Sequence, residues 1–142
     1  MSKNGLMIIL VLVMICAGVF FWKTVQGQNH AQKVVLARDI GNVITYLMFD
    51  LREARQGTIR DVPADGKWHD RVAFAHDGGA IEYYVENGHV TRVSPGKTTA
   101  IANHIVMLRM RREAKSAAVM EVEIKAHDHV SLTSHFKIRM QE

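Results

Sequence analysis

The tightest cluster of metal-binding side-chain types in this 142-residue chain is His127-Asp128-His129. On a β-strand, His127 and His129 would share a face with their Cα atoms about 7 Å apart, and Asp128 would point to the other face. A zinc site needs further ligands at a diagnostic spacing, and the sequence shows no third or fourth ligand placed in that way. We therefore interpret the triplet as a polar turn between two strands, and expect neither a metal nor another cofactor.

Residue types suited to covalent or acid–base catalysis are present, but they lack the partners that catalysis requires. Four serines lie in turn or strand contexts with no catalytic motif around them: Ser94, Ser116, Ser131 and Ser134. Gly78-Gly79 predicts a hairpin turn rather than a phosphate-binding loop, and Asp50 with Glu53 has the spacing of a solvated helix surface. We therefore expect that the protein is not an enzyme.

The charge of the chain gives little support for nucleic-acid binding. Lysine and arginine number 18 against 14 acidic residues, and both signs are scattered along the sequence. The densest basic cluster, Arg109, Arg111 and Arg112, has three glutamates nearby, so we interpret it as a solvated strand face rather than a phosphate-binding patch. We expect no contact with nucleic acid.

Residues 6–22 read LMIILVLVMICAGVFFW, without a charged or strongly polar side chain. As a helix this segment would rise about 25 Å, just short of the roughly 30 Å hydrocarbon core of a bilayer. A cleaved secretory signal is a weaker interpretation, because no small-x-small site follows, and a lipoprotein signal would need a small residue where Ile15 precedes Cys16. We predict a short leader over residues 1–5 and a transmembrane helix over residues 6–22.

The helical period continues after the membrane segment, through residues 23–57. Apolar residues recur there at steps of three and four: Val34, Val35, Ile40, Val43, Ile44, Leu47, Leu51 and Ala54. The polar residues between them are predicted to face away from this stripe: Arg38, Asp39, Asn42, Asp50, Arg52, Glu53 and Arg55. We expect the stripe to form the helical part of the core, chiefly through Ile40, Val43, Ile44, Leu47 and Leu51. Gly57 predicts the end of the helix.

From residue 58 the pattern changes to that of an antiparallel sheet. A loop over residues 58–70 is followed by six β-rich stretches, at residues 71–76, 80–86, 89–94, 104–113, 118–127 and 130–140. Asn87-Gly88 lies between the second and third stretches and is the strongest hairpin signal in the chain. Ile81, Tyr83 and Val85 would share the face that covers the helix. The sequence therefore predicts an α+β fold, with one long N-terminal helix packed on an antiparallel meander that forms a head over residues 58–142.

This order of elements resembles the type IV pilin and type II secretion pseudopilin superfamily. The start, MSKNG followed by LMIILVLV, is similar to the family's leader and membrane helix. Four later stretches are similar to minor pseudopilins of the J type: DLREARQG, AIEYYVENGHVTRV, IANHIVMLRM and VSLTSHFKIRM. The resemblance implies that a prepilin peptidase cuts between Gly5 and Leu6 and that the new N-terminus is methylated.

One position departs from the family pattern. The family usually carries glutamate at the fifth position after the cut, where it pairs with the N-terminal ammonium of a neighbouring subunit, and this chain has Leu10 there. The resemblance then implies a minor subunit that starts or caps a filament, together with other pilin-like subunits and an inner-membrane assembly platform. The alternative is an unprocessed membrane anchor that carries a periplasmic binding or scaffold domain.

The expected location is the bacterial inner membrane, with a single span and the C-terminal domain in the periplasm. The distribution of basic residues weakly favours a cytoplasmic C-terminus instead, because Lys3 precedes the span and Lys23 and Lys33 follow it. We follow the resemblance, which implies a periplasmic C-terminal domain. Ala17 and Gly18 form a small-residue patch for helix packing, with ordinary anchor composition as the alternative. The aromatic side chains of Trp68 and Tyr84 are expected to be exposed and to contact sister subunits or cargo, with Trp68 under its own loop as the alternative.

Overall fold

A single long α-helix, α1, runs from Lys3 to Glu53, and its C-terminal part contacts the rest of the chain. The computed structural model describes residues 3–76 and 78–142, and within α1 it describes side chains from residue 11 onward. Gly5, Leu6 and Leu10, the positions of the predicted cut and of the departure from the family pattern, lie outside the residues whose side chains are described. At 1.5 Å per residue the helix is about 75 Å long, and the polar stretch around Gly27 does not interrupt it.

From residue 11 to residue 31, α1 has no protein packed around it. Residues 11–31 are all exposed, including the large apolar side chains of Phe20, Phe21 and Trp22. This helix is long and apolar enough to cross a membrane. An uncovered apolar surface of this size is unfavourable in water, so the segment suits a bilayer or the apolar surface of other helices.

The C-terminal half of α1 packs on a head made of seven strands. In chain order these are β1 Arg71–His76, β2 Gly79–Glu86, β3 His89–Ser94, β4 Lys97–Ala102, β5 Ile105–Arg111, β6 Val119–His127 and β7 Ser131–Arg139. Strands β1 to β4 form one antiparallel sheet and β5 to β7 form a second, and α1 contacts β4, β6 and β7. The predicted α+β class, with a long N-terminal helix packed on antiparallel strands, is confirmed.

The prediction of a single six-stranded meander is wrong in two respects. The chain forms two sheets, and β4, which reads KTTAIA, was not predicted. Pro95 and Gly96 turn the chain between β3 and β4, and Gly96 has the positive φ of 71° that such a turn requires. The strand was missed because small and polar residues occupy most of it, so it pairs with β3 without a clear apolar alternation.

The hairpin predicted at Asn87-Gly88 is confirmed. Both residues have positive φ, 50° and 77°, as a two-residue turn of type I′ requires, and Glu86 pairs with His89 across it. The helix end differs from the prediction, because α1 stops at Glu53 rather than at Gly57. Beyond that point the chain pairs with the C-terminal residues, where Gln56 N–H donates to the Gln141 carbonyl at 3.0 Å.

The core lies between α1 and the two sheets. The helix contributes the buried residues Leu36, Ile40, Val43, Leu47 and Leu51, and Ile44 packs beside them half-buried. Ala54, directly after the helix, is buried as well. Val34 and Val35 are exposed, although the stripe was predicted to begin with them. Leu36 lies four residues before Ile40 and seven before Val43, so it shares their face of the helix. The buried stripe therefore begins with Leu36.

Candidate functional site

A buried polar cluster joins α1 to the first sheet. Asp50, only 3% exposed, accepts hydrogen bonds from the Tyr83 hydroxyl of β2 and from Arg92 of β3. Arg92 approaches the carboxylate with Nε at 2.7 Å from Oδ2 and Nη2 at 3.2 Å from Oδ1. This two-pronged ion pair orients the helix on the sheet, since a charge-assisted pair with fork geometry is directional as well as attractive.

The protonation states in this cluster follow from its surroundings. Burial, and then the hydrogen bond to Asp50, raise the pKa of Tyr83 well above its ordinary value. The hydrogen bond to Asp50 raises the pKa of Arg92. Tyr83 is therefore a neutral donor and Arg92 a permanent cation, and both serve the one carboxylate.

A second buried carboxylate fixes α1 near the start of the head. Asp39 is 4% exposed, and its Oδ2 lies 2.9 Å from Nδ1 of His104. His104 belongs to the connection between β4 and β5 and has a positive φ of 60°. The helix is thus joined to the first sheet through Asp50 and to the connection between the two sheets through Asp39.

The prediction that Asp39 and Asp50 face away from the apolar stripe is wrong. Asp39 lies three residues after Leu36, and Asp50 lies three after Leu47 and seven after Val43, so both share the buried face. The signal was therefore present in the spacing. The charge of the two side chains indicates the solvent side, whereas their positions along the helix place them on the buried face.

The cluster of three arginines does not form one patch. Arg109 and Arg111 lie on the outer face of β5, with ion pairs to Glu123 at 2.8 Å and to Glu121 at 2.5 Å. The hydrogen bond from Arg111, followed by one from a neighbouring lysine, lowers the pKa of Glu121. Arg112 is buried, and its Nε donates to the Val62 carbonyl at 2.8 Å, while burial lowers its pKa.

Trp68 packs on this arginine-bearing face rather than standing free or turning under its own loop. The guanidinium carbons of Arg109 and Arg111 lie 4.7 Å and 4.6 Å from the ring centroid, which is cation–π distance. The His135 ring meets the Trp68 ring edge-on at 6.2 Å. Trp68 is half-buried as a result, so the expectation that it is exposed is corrected.

A groove of about 770 Å³ opens between the two sheets, beside Trp68. Residues 106–109 of β5 and Tyr84 with Val85 of β2 line its sides, and the chain segment at residues 68–71 lines it as well. Tyr84 is half-buried rather than exposed, because the Arg71 guanidinium lies 4.8 Å from its ring centroid. The two aromatic residues predicted as contacts therefore lie at the same groove, each held against arginine.

The remaining predicted positions fall elsewhere. Ala17 and Gly18 are exposed in the apolar half of α1, and a Cβ added at Gly18 would meet nothing within 4 Å, so their role in helix packing stays a prediction. His127 ends β6, and Asp128 N–H donates to the Val130 carbonyl at 2.9 Å, which forms the polar turn interpreted from the sequence. Within residues 3–76 and 78–142 no three metal-binding side chains come together.

Two large aromatic side chains on α1 face away from the head core. Phe49 is 67% exposed and Tyr46 is 44% exposed. Exposed aromatic side chains are the usual anchors of protein contacts, but the sequence alone does not show that these two residues are exposed.

In comparisons with known proteins, no family model, no curated protein and no solved structure matches this chain.

Proposed function

We propose that this chain is a minor pilin-like subunit, a pseudopilin, that helps to initiate or cap a periplasmic filament of the type II secretion or type IV pilus kind. The observation that carries the proposal is that one uninterrupted helix serves both parts of the molecule. Residues 11–31 are exposed and begin with an apolar run over residues 11–22, while the C-terminal half is the centre of the head core. Such a subunit is held in the membrane before assembly and offers the same apolar helix to its neighbours afterwards.

The joint between helix and head supports this use of the molecule. Asp39 and Asp50 tie α1 to the link between the sheets and to the first sheet, in addition to the apolar contacts. A head fixed in this way cannot rotate about α1 without breaking the Asp39–His104 hydrogen bond and the largely buried Asp50–Arg92 ion pair, and loss of such an ion pair costs about 2–4 kcal/mol. The position of the head is therefore set by the position of its helix, as a helically packed filament requires.

The tip assignment rests on Leu10 and on the resemblance. A subunit without the family glutamate has no carboxylate that can pair with a neighbour's N-terminal ammonium. It therefore fits the tip of a filament, where there is no preceding subunit to pair with. The partners proposed for it are other pilin-like subunits, a prepilin peptidase and an inner-membrane assembly platform. We place the head in the periplasm.

The alternative is an unprocessed, membrane-anchored periplasmic binding or scaffold domain. Leu10 favours it specifically, because an anchor that never assembles has no need of a charge in the bilayer. The groove between the sheets would then be its binding surface.

The intact mass of the protein extracted from its native membrane distinguishes the two. A pilin-like subunit is expected to lack Met1 to Gly5 and to carry one added methyl group. The variant Gly5→Asp serves as the control, since it should keep the full-length mass while the head folds normally. A wild-type mass equal to that of the complete chain would refute the filament proposal. Protease treatment of spheroplasts tests the orientation, and a head protected from cleavage would place it in the cytoplasm instead.

A further inference from the structure

Strand β7 is the outermost strand of the second sheet, and one of its two edges is unpaired. Met140 N–H donates to the Ala118 carbonyl at 2.7 Å, which continues the pairing of β7 with β6. Gln141 turns the other way, and its N–H donates to the Ala54 carbonyl at 3.1 Å. Residues two apart on a strand present their N–H and C=O groups to the same side. The odd-numbered residues from 131 to 139 therefore turn their backbone groups away from β6, and no described residue forms a backbone hydrogen bond with them.

This edge is accessible along its whole length. The residues that present it are all exposed, and their side chains include no carboxylate: Ser131, Thr133, His135, Lys137 and Arg139. Of these, Arg139 pairs with Glu142 at 3.3 Å. At about 3.3 Å per residue, the strand offers an edge of about 30 Å. A long exposed edge of this kind is a template for pairing with another chain.

Partly buried apolar side chains lie beside the edge, on the core side of the sheet. Leu132 and Phe136 of β7 point to that side, and neither is fully buried. Ile44 and Met48 of α1 are partly buried as well, and they lie on the flank of the helix opposite Asp50. Asp50 faces the first sheet, and α1 also contacts β7, so this flank faces the second sheet. A strand added at the edge would cover these four side chains with its own inward-facing residues.

The outer face of the sheet beside the edge carries an excess of positive charge. Arg111 and Lys137 share the one carboxylate of Glu121, at 2.5 Å and 3.1 Å, so one of the two positive charges is not compensated. Lys125 of β6 lies opposite Thr133, is exposed, and forms no ion pair within the part of the chain that the structure describes. Opposite charges on neighbouring strands attract, so this face favours carboxylates on a strand that is added to β7.

The direction of β7 argues against a second copy of this chain as the occupant. At its start β7 pairs with His127, whose N–H donates to the carbonyl of His104, the residue that bonds Asp39. Just beyond its end, Gln141 pairs with Ala54. Strand β7 therefore runs in the same direction as α1. Two β7 edges paired antiparallel would point their α1 helices in opposite directions, so the two apolar segments could not enter one bilayer.

We propose that the free edge of β7 binds an extended segment of a different protein chain, in which apolar residues alternate with acidic ones. The segment adds to the sheet as a fourth strand, with its apolar side chains over Leu132 and Phe136 and its carboxylates near Lys125 and Lys137. Binding of this kind takes its affinity from main-chain hydrogen bonds and its selectivity from alternate side chains. It requires neither a cut leader nor a filament, so it stands apart from the proposed function.

Disulfide tethering tests the edge without a known partner. Ser131→Cys in a Cys16→Ser background places the only thiol of the full-length, micelle-solubilised protein at the start of the edge. The probes are two peptides with a C-terminal cysteine, one alternating valine with glutamate and the other valine with lysine. Both compete for the thiol under reversible reducing conditions, and mass spectrometry gives the ratio of the two adducts. The control is Thr45→Cys in the same background, at an exposed residue of α1.

The glutamate peptide is expected to exceed the lysine peptide by about tenfold at residue 131, as one or two partly exposed ion pairs allow. The ratio should stay near one at residue 45. In the glutamate adduct at residue 131, hydrogen exchange of the Thr133, His135 and Lys137 amides should slow by about tenfold, because these amides become hydrogen-bonded. The amides of β7 that already pair with β6 should not change.

Thr133→Pro is the matched variant for the edge itself. Proline has no N–H, but the N–H of Thr133 faces away from β6, so the sheet keeps its own pairing and the head should stay folded. Adding this substitution should remove the slow exchange at His135, and adding Lys137→Gln instead should reduce the preference for glutamate.

Equal capture of the two peptides at residue 131, a preference for lysine, or unchanged exchange at His135 in the glutamate adduct would each overturn the proposal. A dimeric wild-type protein in which the His135 amide already exchanges slowly would assign the edge to a second copy, and would overturn it as well.

Discussion

Replacing Asp50 with asparagine should destabilise the head strongly, although the side chain keeps nearly the same shape. The carboxylate is buried and holds Arg92, whose side chain is 21% exposed, together with the Tyr83 hydroxyl. Breaking a fully buried ion pair costs about 3–5 kcal/mol, and a hydrogen bond to a charged group contributes about 1.5–3 kcal/mol. Because Arg92 retains some contact with water, we expect Asp50→Asn to cost about 2–4 kcal/mol. That is a large part of the 5–15 kcal/mol typical of a folded domain.

Urea unfolding of the full-length protein in micelles measures this loss. The chain has two tryptophans, so a Trp22→Phe background leaves Trp68, which packs against the arginines of β5, as the fluorescent probe of the head. Arg92→Gln alone should also be costly, because it leaves the Asp50 charge buried. The double variant should lose about 2 kcal/mol less than the sum of the two single variants, since neither charge is then left without its partner.

Glu53→Gln is the matched control on the same helix. Glu53 pairs with His76 at 3.0 Å, but its side chain is about half exposed, and such pairs contribute about 0–1 kcal/mol. If Asp50→Asn costs no more than Glu53→Gln, or if the losses at Asp50 and Arg92 simply add, the buried cluster does not join α1 to the sheet as described.

Leu47→Asp places a charge in the centre of the core, so we expect the head to unfold while α1 stays in the membrane; protease sensitivity together with a carbonate-resistant membrane fraction would show this, and a protease-resistant head would contradict it. Hydrogen bonds hold the pKa of Glu121 below its ordinary value of 4.5, so its contribution to stability is complete above that pH and is lost as the pH falls through the lower folded-state pKa. Glu121→Gln should therefore lower the melting temperature at neutral pH, and below about pH 4.5 the melting temperature should fall less steeply with pH than in the wild type. An unchanged pH dependence in that range would count against the Arg111 contact. Phe49→Ser removes an exposed side chain, so the unfolding free energy should change by less than about 0.5 kcal/mol. Co-purification with the pilin-like subunits that we propose as partners should fall, and undiminished co-purification would show that this face of α1 is not a contact.

Local patterns sufficed for much of the fold. The apolar run and the helical period that follows it predict one long N-terminal helix, and Asn87-Gly88 predicts the hairpin between β2 and β3, because both signals depend on residues close together in the chain. The helical period also marked Ile40, Val43 and Leu47 as core positions, and the structure buries all three.

Other features became visible only in three dimensions. Nothing local marks the division of the strands into two sheets, since it depends on where the chain leaves the edge of β5 at residue 70 and enters β1. Trp68 and Arg109 lie 41 residues apart in sequence and stack only because that crossing lays the loop over β5. The groove is likewise a product of two edges that separate.

The sequence by itself determined that the chain has an apolar rod at one end, a helical stripe after it and strands beyond, because side-chain periodicity and turn chemistry are short-range properties. Only the tertiary structure decided which polar residues are buried and how the strands divide between two sheets. Asp50 contacts Arg92 across 42 residues, and the chain leaves β5 after His69 because Arg71 pairs with Tyr84 of β2. Such outcomes depend on the packing of distant segments, and no window of neighbouring residues contains that information.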